Sequence, residues 1–209
     1  MADSNSRNKI IHEVRTEQKL IAFTFDDGPN PDYTPQFMEI FQAYGGHATF
    51  YVIGERVDQH PELAHSIHEG GHELGNHTWT HPHMTELSVE ERGIELERTA
   101  ERIVQITGAR PTTFRPPYLD VDEALLELTA SSNCYTIGAM NLSANDWEQP
   151  GVDWILDHTR NCIYGGSILL FHDGFGDRSQ SLEAVRILVP EVVAQGYRLV
   201  TVRELLQNA

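Results

Sequence analysis

Two adjacent carboxylates, Asp26 and Asp27, follow an apolar segment, LIAFTF at 20–25. Carboxylates this close repel each other, and a nearby cation relieves the repulsion, so a metal ion is one explanation for the pair. The next two residues are Gly28 and Pro29, which are good turn residues. A capped turn without any ion is therefore the alternative.

His77 and His81 are four residues apart in the segment HTWTH. They could face one metal ion if a helical turn lies between them, as in His-x-x-x-His zinc sites. Pro82 disfavours helical backbone at His81, so such a turn would end there. With Asp27, the two imidazoles would supply three ligands and leave positions open for water and substrate, as catalytic zinc sites do. Ordinary packing histidines are the alternative.

Arg115 follows another apolar segment and is itself followed by two prolines and Tyr118. A guanidinium here could hold a carboxylate in place. The prolines stiffen the loop, so the backbone N–H of Tyr118 could act as a preorganised donor to a developing oxyanion. An arginine in a surface salt bridge is the alternative.

His172 ends the apolar segment ILLF and is followed by Asp173 and a glycine. At the rim of an active site, it would suit acid–base chemistry tuned by a carboxylate such as Asp146. A hydrogen-bonded core histidine is the alternative. Trp147, next to Asp146, could present its ring to a substrate or pack in the core.

Strand-like and helix-like segments alternate along the chain. The predicted strands are LIAFTF (20–25), HATFYVIG (47–54), HELGNH (72–77), TTFRPP (112–117), NCYTIGAMNL (133–142), SILLFHD (167–173) and YRLVTV (197–202). The predicted helices span 34–45, 62–71, 88–108, 121–132, 152–163, 181–196 and 203–208. About seven repeats of this kind predict an α/β fold with a mostly parallel sheet, and their regular spacing favours a barrel. The polar motifs would then lie at the carboxyl ends of its strands.

The chain has 209 residues, which suits one domain, and a formal net charge of −16. We expect a polar segment at 1–18 and a catalytic domain at 19–209. The acidic balance argues against nucleic acid as a partner and against anionic membrane surfaces. No apolar run is long enough for a transmembrane helix, and the first residues lack a signal-peptide pattern. The expected location is cytoplasmic, or extracellular or at the cell wall if a leader was removed. Cys134 and Cys162 are expected to be ordinary thiols.

Five motifs, in this order, resemble those of the polysaccharide deacetylases of the NodB-homology type, carbohydrate esterase family 4. They are TFDDGP (24–29), HTWTH (77–81), FRPPY (114–118), SANDW (143–147) and ILLFHD (168–173). The resemblance covers about residues 20–206 and implies a distorted (β/α) barrel. The activity that it implies is zinc-dependent hydrolysis of N-acetyl groups on N-acetylglucosamine glycans, either chitin oligosaccharides or peptidoglycan. Removal of O-acetyl groups from xylan by the same site is the alternative.

The same resemblance assigns roles to the motif residues. One divalent metal ion, expected to be zinc with cobalt or nickel as substitutes, would be bound by Asp27, His77 and His81. Asp26 would be the general base, and Arg115 would hold it in place. His172 would be the general acid, and Asp146 would tune it. Leu170 would form the apolar wall for the acetyl methyl group, and the backbone of Tyr118 would donate to the oxyanion. Two positions depart from the family pattern: Leu119, where glycine is common, and Ser143, where an aspartate usually begins the fourth motif.

Two other classes of function are also compatible with part of the pattern. Two histidines and one carboxylate are the ligand set of iron(II) oxygenases, but that class predicts a double-stranded β-helix and gives Asp26 and His172 no role. A sugar- or metal-binding relative without activity is the second alternative. The presence of a base, an acid and all three ligands disfavours it.

Overall fold

The structure is a computed structural model that describes residues 7–208. In this range eight β-strands form one sheet in which every pairing between strands is parallel. They are β1 (Ile10–Ile11), β2 (Leu20–Asp26), β3 (Thr49–Val52), β4 (Glu73–Asn76), β5 (Thr113–Phe114), β6 (Tyr135–Ile137), β7 (Ile168–His172) and β8 (Arg198–Leu199). Seven of them follow the order β1-β6-β5-β4-β3-β2-β7, and β8 pairs with the beginning of β2.

Helices connect successive strands, as parallel pairing requires. The described range contains α1 (Thr34–Ala43), α2 (Gly54–Gln59), α3 (Pro61–Glu69), α4 (Val89–Thr107), α5 (Glu123–Ser131), α6 (Val152–Arg160), α7 (Ser179–Ala194) and α8 (Val202–Gln207). Short 3₁₀ helices lie at 84–86, 117–119, 142–144 and 146–148. None of the helices within residues 7–208 is long and apolar enough to cross a membrane.

The sheet curls so that its two end strands, β1 and β7, approach each other. Glu13, just after β1, forms an antiparallel bridge with Ser167, just before β7. The N–H of Val14 donates to the carbonyl of Gly166 over 2.9 Å, and the N–H of Met140 donates to the carbonyl of Ile168 over 3.0 Å. These contacts bring the two edges together, and the predicted distorted barrel of parallel strands is confirmed.

Strand β2 separates the apolar core from the interior of the barrel because its side chains alternate. Phe23 and Phe25 face outward and pack with aromatic residues of α1, with 4.3 Å between the ring centroids of Phe25 and Phe37. Thr24 and Asp26 face inward, where both accept hydrogen bonds from a buried arginine. The alternation therefore places a carboxylate at the inner, carboxyl end of a central strand.

All seven predicted strands and all seven predicted helices are present, with shifted ends. Besides the short 3₁₀ helices, one strand and one α-helix were missed. Strand β1 has two residues, too few for a periodic pattern, and it forms only through pairing with β6. Helix α2 begins at Gly54, a residue that sequence reasoning assigned to the end of a strand. The boundary at 18/19 stays a prediction, although β1, from the segment 1–18, pairs in the sheet; residues 1–6 of that segment lie outside the described range.

The two cysteines are free thiols, as predicted. Cys134 is buried, and burial raises the pKa of its thiol to about 12. Cys162 is partly buried.

Candidate active site

Eight of the ten predicted site residues line one cleft of about 770 Å³ at the carboxyl ends of the strands. The other two, Arg115 and Asp146, lie behind its wall and contact Asp26 and His172. Asp26 ends β2 and His172 ends β7, and these two strands are neighbours in the sheet. His77 follows β4 directly, and Arg115 follows β5 directly. Residues that are far apart in sequence are thus brought together by the order of the parallel strands.

Asp27, His77 and His81 form a cluster in which the ligand atoms all lie within 4.8 Å of one another. Oδ1 of Asp27 lies 3.1 Å from Nε2 of His81 and 3.4 Å from Nε2 of His77. Burial alone would raise the pKa of Asp27, but positive charge on the facing imidazoles and on His172 outweighs that effect and holds the pKa well below its usual range. The carboxylate therefore stays ionised at neutral pH.

Two observations show that this donor set suits a metal ion. Nδ1 of His77 lies 2.6 Å from the carbonyl oxygen of Arg115, and a carbonyl can only accept, so Nδ1 carries a proton and, in the neutral ring, Nε2 presents a lone pair toward Asp27. Oδ1 of Asp27 is buried, and no group within residues 7–208 donates a hydrogen bond to it. Buried polar atoms are normally paired, so a lone carboxylate oxygen beside two imidazole nitrogens fits a bound cation.

The segment between the two histidines is not the helical turn that their spacing suggested. The segment from His77 to His81 contains no helix, and Thr78 and His81 adopt left-handed backbone angles, with φ of 69° and 65°. The two imidazole rings still meet, with 5.0 Å between their centroids. The convergence thus depends on a turn whose shape is set by tertiary contacts rather than by helical periodicity.

Arg115 lies inside the barrel and not in a surface salt bridge. Its side chain is fully buried, and Nη1 donates to Oδ1 of Asp26 over 2.8 Å and to Oγ1 of Thr24 over 2.6 Å. Nη2 donates to the carbonyl of Gly138 over 2.7 Å, and the guanidinium lies 4.4 Å from the ring centroid of Tyr51. The other carboxylate oxygen of Asp26 lies 3.8 Å from Nε2 of His77, on the side of the three-residue cluster.

His172, which is partly buried, and Asp146, which is buried, form a second pair in the cleft. Nδ1 of His172 lies 2.8 Å from Oδ1 of Asp146. Oδ2 of Asp146 accepts from the backbone N–H of His172 over 2.9 Å and from the hydroxyl of Ser181 over 2.7 Å. Burial by itself would lower the pKa of His172, but the Asp146 carboxylate outweighs it and raises the pKa to about 9. Ser181, on α7, had no signal in the sequence that set it apart from other helical serines.

The turn at Asp27 and Gly28 packs closely against the turn at Asp173 and Gly174. Asp173 is fully buried, and the hydroxyl of Thr34 donates to its carboxylate. Burial raises the pKa of Asp173 to about 7. A Cβ at position 28 would collide with that carboxylate, so only glycine fits there. The first motif therefore does form a turn, and the same segment also contributes Asp27 to the cluster of possible metal ligands.

The turn after Arg115 carries two consecutive left-handed residues, Tyr118 (φ 58°) and Leu119 (φ 53°). Its backbone bonds run from the N–H of Leu119 to the carbonyl of Pro116 and from the N–H of Asp120 to that of Pro117. The N–H of Tyr118 has no such partner in the part of the chain that the structure describes. The Tyr118 ring is exposed and stacks on His83, with 4.0 Å between the ring centroids.

Apolar and aromatic side chains form the rest of the cleft wall. Leu170 is 6% exposed, and Trp147 is 40% exposed with its ring centroid 5.4 Å from that of His172. Sequence reasoning missed Phe175 and Arg178, which also line the cleft. An aromatic residue between two glycines, directly after the fifth motif, was a signal that could have identified Phe175.

The fold and this cleft place the chain among the metal-dependent hydrolases that are built on parallel α/β barrels. The family model described as polysaccharide deacetylase matches residues 13–137. The chain therefore belongs to the polysaccharide deacetylase family, and the resemblance found in the five motifs is confirmed.

Curated relatives cover nearly the whole chain. A peptidoglycan-N-acetylglucosamine deacetylase of Bacillus cereus is 37% identical over 95% of this chain and 93% of its own length. A chitooligosaccharide deacetylase of Azorhizobium caulinodans is 29% identical over 89% of this chain and 94% of its own length.

Solved structures agree with the fold. The Bc1960 peptidoglycan N-acetylglucosamine deacetylase, in complex with an N-hydroxybenzamide compound, superposes with a TM-score of 0.89 at 26% identity, covering 95% of this chain and 92% of that one. A pseudoenzyme of carbohydrate esterase family 4 from Bacillus anthracis superposes with a TM-score of 0.87 at 26% identity, covering 96% of this chain and 70% of that one. The fold thus accommodates active and inactive members, and the site residues carry the functional argument.

Proposed function

We propose that the protein is a metal-dependent hydrolase that removes N-acetyl groups from N-acetylglucosamine-containing glycans, releasing acetate and a free amine. Relatives named as peptidoglycan and chitooligosaccharide deacetylases support this substrate class. The observation that carries the proposal is the arrangement of two ion pairs, Asp26 with Arg115 and His172 with Asp146, around the cluster of Asp27, His77 and His81. Amide hydrolysis needs one group that accepts a proton and another that donates one.

Asp27, His77 and His81 are the residues that would hold the metal ion. Two imidazole nitrogens and one carboxylate oxygen suit a catalytic zinc ion, and cobalt or nickel could occupy the same donors. When bound, the ion would polarise the acetyl carbonyl and lower the pKa of a water molecule. Zinc is thus the metal that we propose.

Asp26 is suited to be the general base. Arg115 occupies Oδ1 of Asp26 through a 2.8 Å hydrogen bond, which leaves Oδ2, on the side of His77, to take the proton of the attacking water. The guanidinium also places a positive charge beside a carboxylate that is almost fully buried. In this role Arg115 positions the base and does not touch the substrate.

His172 is suited to be the general acid. A pKa of about 9 means that the imidazole is mostly protonated at neutral pH. Asp146 holds Nδ1, so Nε2 is the atom that can donate a proton to the leaving amine nitrogen. The Asp146 carboxylate stabilises the imidazolium form of His172, and this is why it raises the pKa of that residue.

The remaining cleft residues would orient the substrate. The N–H of Tyr118 would donate to the carbonyl oxygen as negative charge develops on it. Leu170 would form the apolar wall against the acetyl methyl group. Trp147, exposed beside His172, would stack on a sugar ring of the glycan.

Three other functions have weaker support. An O-acetyl esterase acting on xylan would use the same residues, but the two curated relatives described above are named for N-deacetylation. The iron(II) oxygenase hypothesis is wrong about the fold, because the strands within residues 7–208 form a parallel barrel with connecting helices. A relative that only binds sugar or metal would need neither the Asp26–Arg115 pair nor the His172–Asp146 pair.

Acetate release tests the proposal. N-acetylglucosamine oligomers, peptidoglycan and acetylated xylan are incubated in parallel with added zinc, after chelation and with the Asp26→Asn variant. We expect zinc-dependent release from the oligomers or from peptidoglycan, and none from Asp26→Asn. Release from xylan alone would support the esterase instead. Robust turnover by Asp26→Asn would contradict the role given to Asp26, and absence of release from every substrate at full zinc occupancy would contradict the proposed activity.

A further inference from the structure

The turn between His77 and His81 has a backbone that ordinary residues rarely adopt. Thr78 and His81 have φ of 69° and 65°, and neither is a glycine. L-residues are disfavoured in this region because Cβ approaches the backbone carbonyl. Such a turn persists only where surrounding contacts hold it.

Helix α2 holds the carbonyl groups of the turn. The N–H of Gly54 donates to the carbonyl of Thr78 over 3.0 Å, and the N–H of Glu55 donates to that of Trp79 over 3.2 Å. The Trp79 ring lies directly against Gly54, where a Cβ would have no space. One side of the turn is therefore fixed by the first residues of α2.

Glu95, on α4, holds the N–H groups on the other side. Its Oε2 accepts from the backbone N–H of Trp79 over 2.7 Å and from that of Thr80 over 2.8 Å. Its Oε1 accepts from the hydroxyl of Thr80 over 2.9 Å. Hydrogen bonds to a carboxylate are shorter and stronger than those between neutral groups. One side chain thus ties three donors of the turn to a long helix.

These bonds are made to the residues between the two imidazoles and not to the imidazoles themselves. The position of His81 depends on this turn, because its N–H donates to the hydroxyl of Thr78 over 3.0 Å and its Nε2 lies 3.1 Å from Oδ1 of Asp27. Trp79 is 5% exposed, so its N–H would have little access to water if Glu95 were removed. The turn would then relax, and His81 would leave its place beside Asp27.

We propose that Glu95 is a positioning residue that preorganises the metal site by holding the turn between His77 and His81. The proposal rests on the metal site of the proposed function. It predicts that the loss of Glu95 weakens metal binding although Glu95 touches neither the metal ligands nor the substrate. Partners that orient metal ligands typically contribute about 10–100-fold to affinity.

The test measures metal binding by the full chain, without any substrate. The variants are Glu95→Ala, Glu95→Gln and, as the matched control, Glu97→Ala, which removes an exposed carboxylate of the same helix that pairs with Arg110. Zinc affinity is measured by competition with a chromophoric chelator, and the cobalt(II)-loaded proteins are compared by their visible absorption. Thermal unfolding of the metal-free proteins reports any general loss of stability.

We expect about 10–100-fold weaker zinc binding for Glu95→Ala, with altered cobalt absorption at saturation. Glu95→Gln keeps an accepting oxygen but loses the charge, so we expect at least about threefold weaker binding. Glu97→Ala should bind as the wild type does. Wild-type affinity and cobalt absorption in Glu95→Ala, or in Glu95→Gln if Glu95→Ala fails to fold, would overturn the proposal. Because binding is measured without catalysis, a protein that lacks deacetylase activity could still show this order of affinities, so the two proposals fail separately.

Discussion

Arg115 contacts His77 and Asp26 through opposite ends of the same residue. Its carbonyl oxygen lies 2.6 Å from Nδ1 of His77, and its guanidinium donates to Oδ1 of Asp26 over 2.8 Å. One residue therefore sets both the tautomer of a proposed metal ligand and the orientation of the proposed base. A side-chain substitution removes only the second contact, because the carbonyl remains.

Arg115→Ala should destabilise the protein strongly. It leaves the Asp26 carboxylate, which is 4% exposed, without its cation, and breaking a buried ion pair by removing one partner costs about 3–5 kcal/mol. Urea unfolding of the metal-free protein measures this loss. The double variant Arg115→Ala/Asp26→Asn should recover part of the stability because it no longer buries an unpaired charge. Equal losses in the single and the double variant would show that packing, not charge, dominates.

The pH dependence of turnover should report His172. Its protonated form is the proposed acid, so kcat should fall as pH rises through the pKa of this group, which the Asp146 carboxylate raises to about 9. A bound metal cation lowers the pKa of a neighbouring imidazole, so the alkaline limb of the loaded enzyme should lie at or below about 9. Rate measurements from pH 6 to 10 at saturating zinc locate it.

The Asp146→Asn variant tests whether His172 sets the alkaline limb of the pH–rate profile. Without the carboxylate, burial is the main remaining effect, and it lowers the pKa of His172. The alkaline limb should therefore move to lower pH, and activity at pH 8 should fall more than activity at pH 6. An alkaline limb that stays in place would contradict the pairing of these two residues in catalysis.

The same pair should make stability depend on pH. The folded pKa of His172 is raised above its unfolded value near 6.5, so its contribution to the free energy of unfolding is fully present below pH 6.5 and is lost as pH rises through about 9. Thermal unfolding of the metal-free protein between pH 6 and 10 measures the slope. Asp146→Asn should flatten it.

Metal removal should lower the thermal stability of the protein. At a free zinc concentration 100 times the dissociation constant, binding stabilises the folded state by about 2.7 kcal/mol. For a chain of this size, that corresponds to about 5–10 °C in Tm. Asp27→Asn should abolish the zinc-dependent shift, whereas Asp26→Asn should keep most of it. A full shift in Asp27→Asn would remove Asp27 from the ligand set.

Much of this site was predictable because parallel strands bring their carboxyl ends together. Asp26 and His172 lie at the ends of apolar strands that the sequence pattern predicts. The two residues are close because these strands are neighbours in the sheet. The contribution of Glu95 was not predictable, because an acidic residue within an amphipathic helix has no local signal that it bonds to a turn preceding the helix. Strand β1 was missed for a similar reason, since two isoleucines form a strand only after β6 is in place.

Leu119 is the departure from the family pattern whose physical consequence the structure defines. Its φ of 53° lies in the left-handed region, where a Cβ costs about 1–2 kcal/mol and glycine is tolerated without that strain. Leu119→Ala and Leu119→Gly both remove the leucine side chain from the cleft, but only the glycine variant also relieves the backbone. Urea unfolding should therefore show Leu119→Gly to be more stable than Leu119→Ala by about 1 kcal/mol, after the greater unfolded-state entropy of glycine is allowed for. The opposite order would mean that this turn does not strain the wild-type chain, and the reason for glycine at this position in the family would then have to lie in access to the cleft.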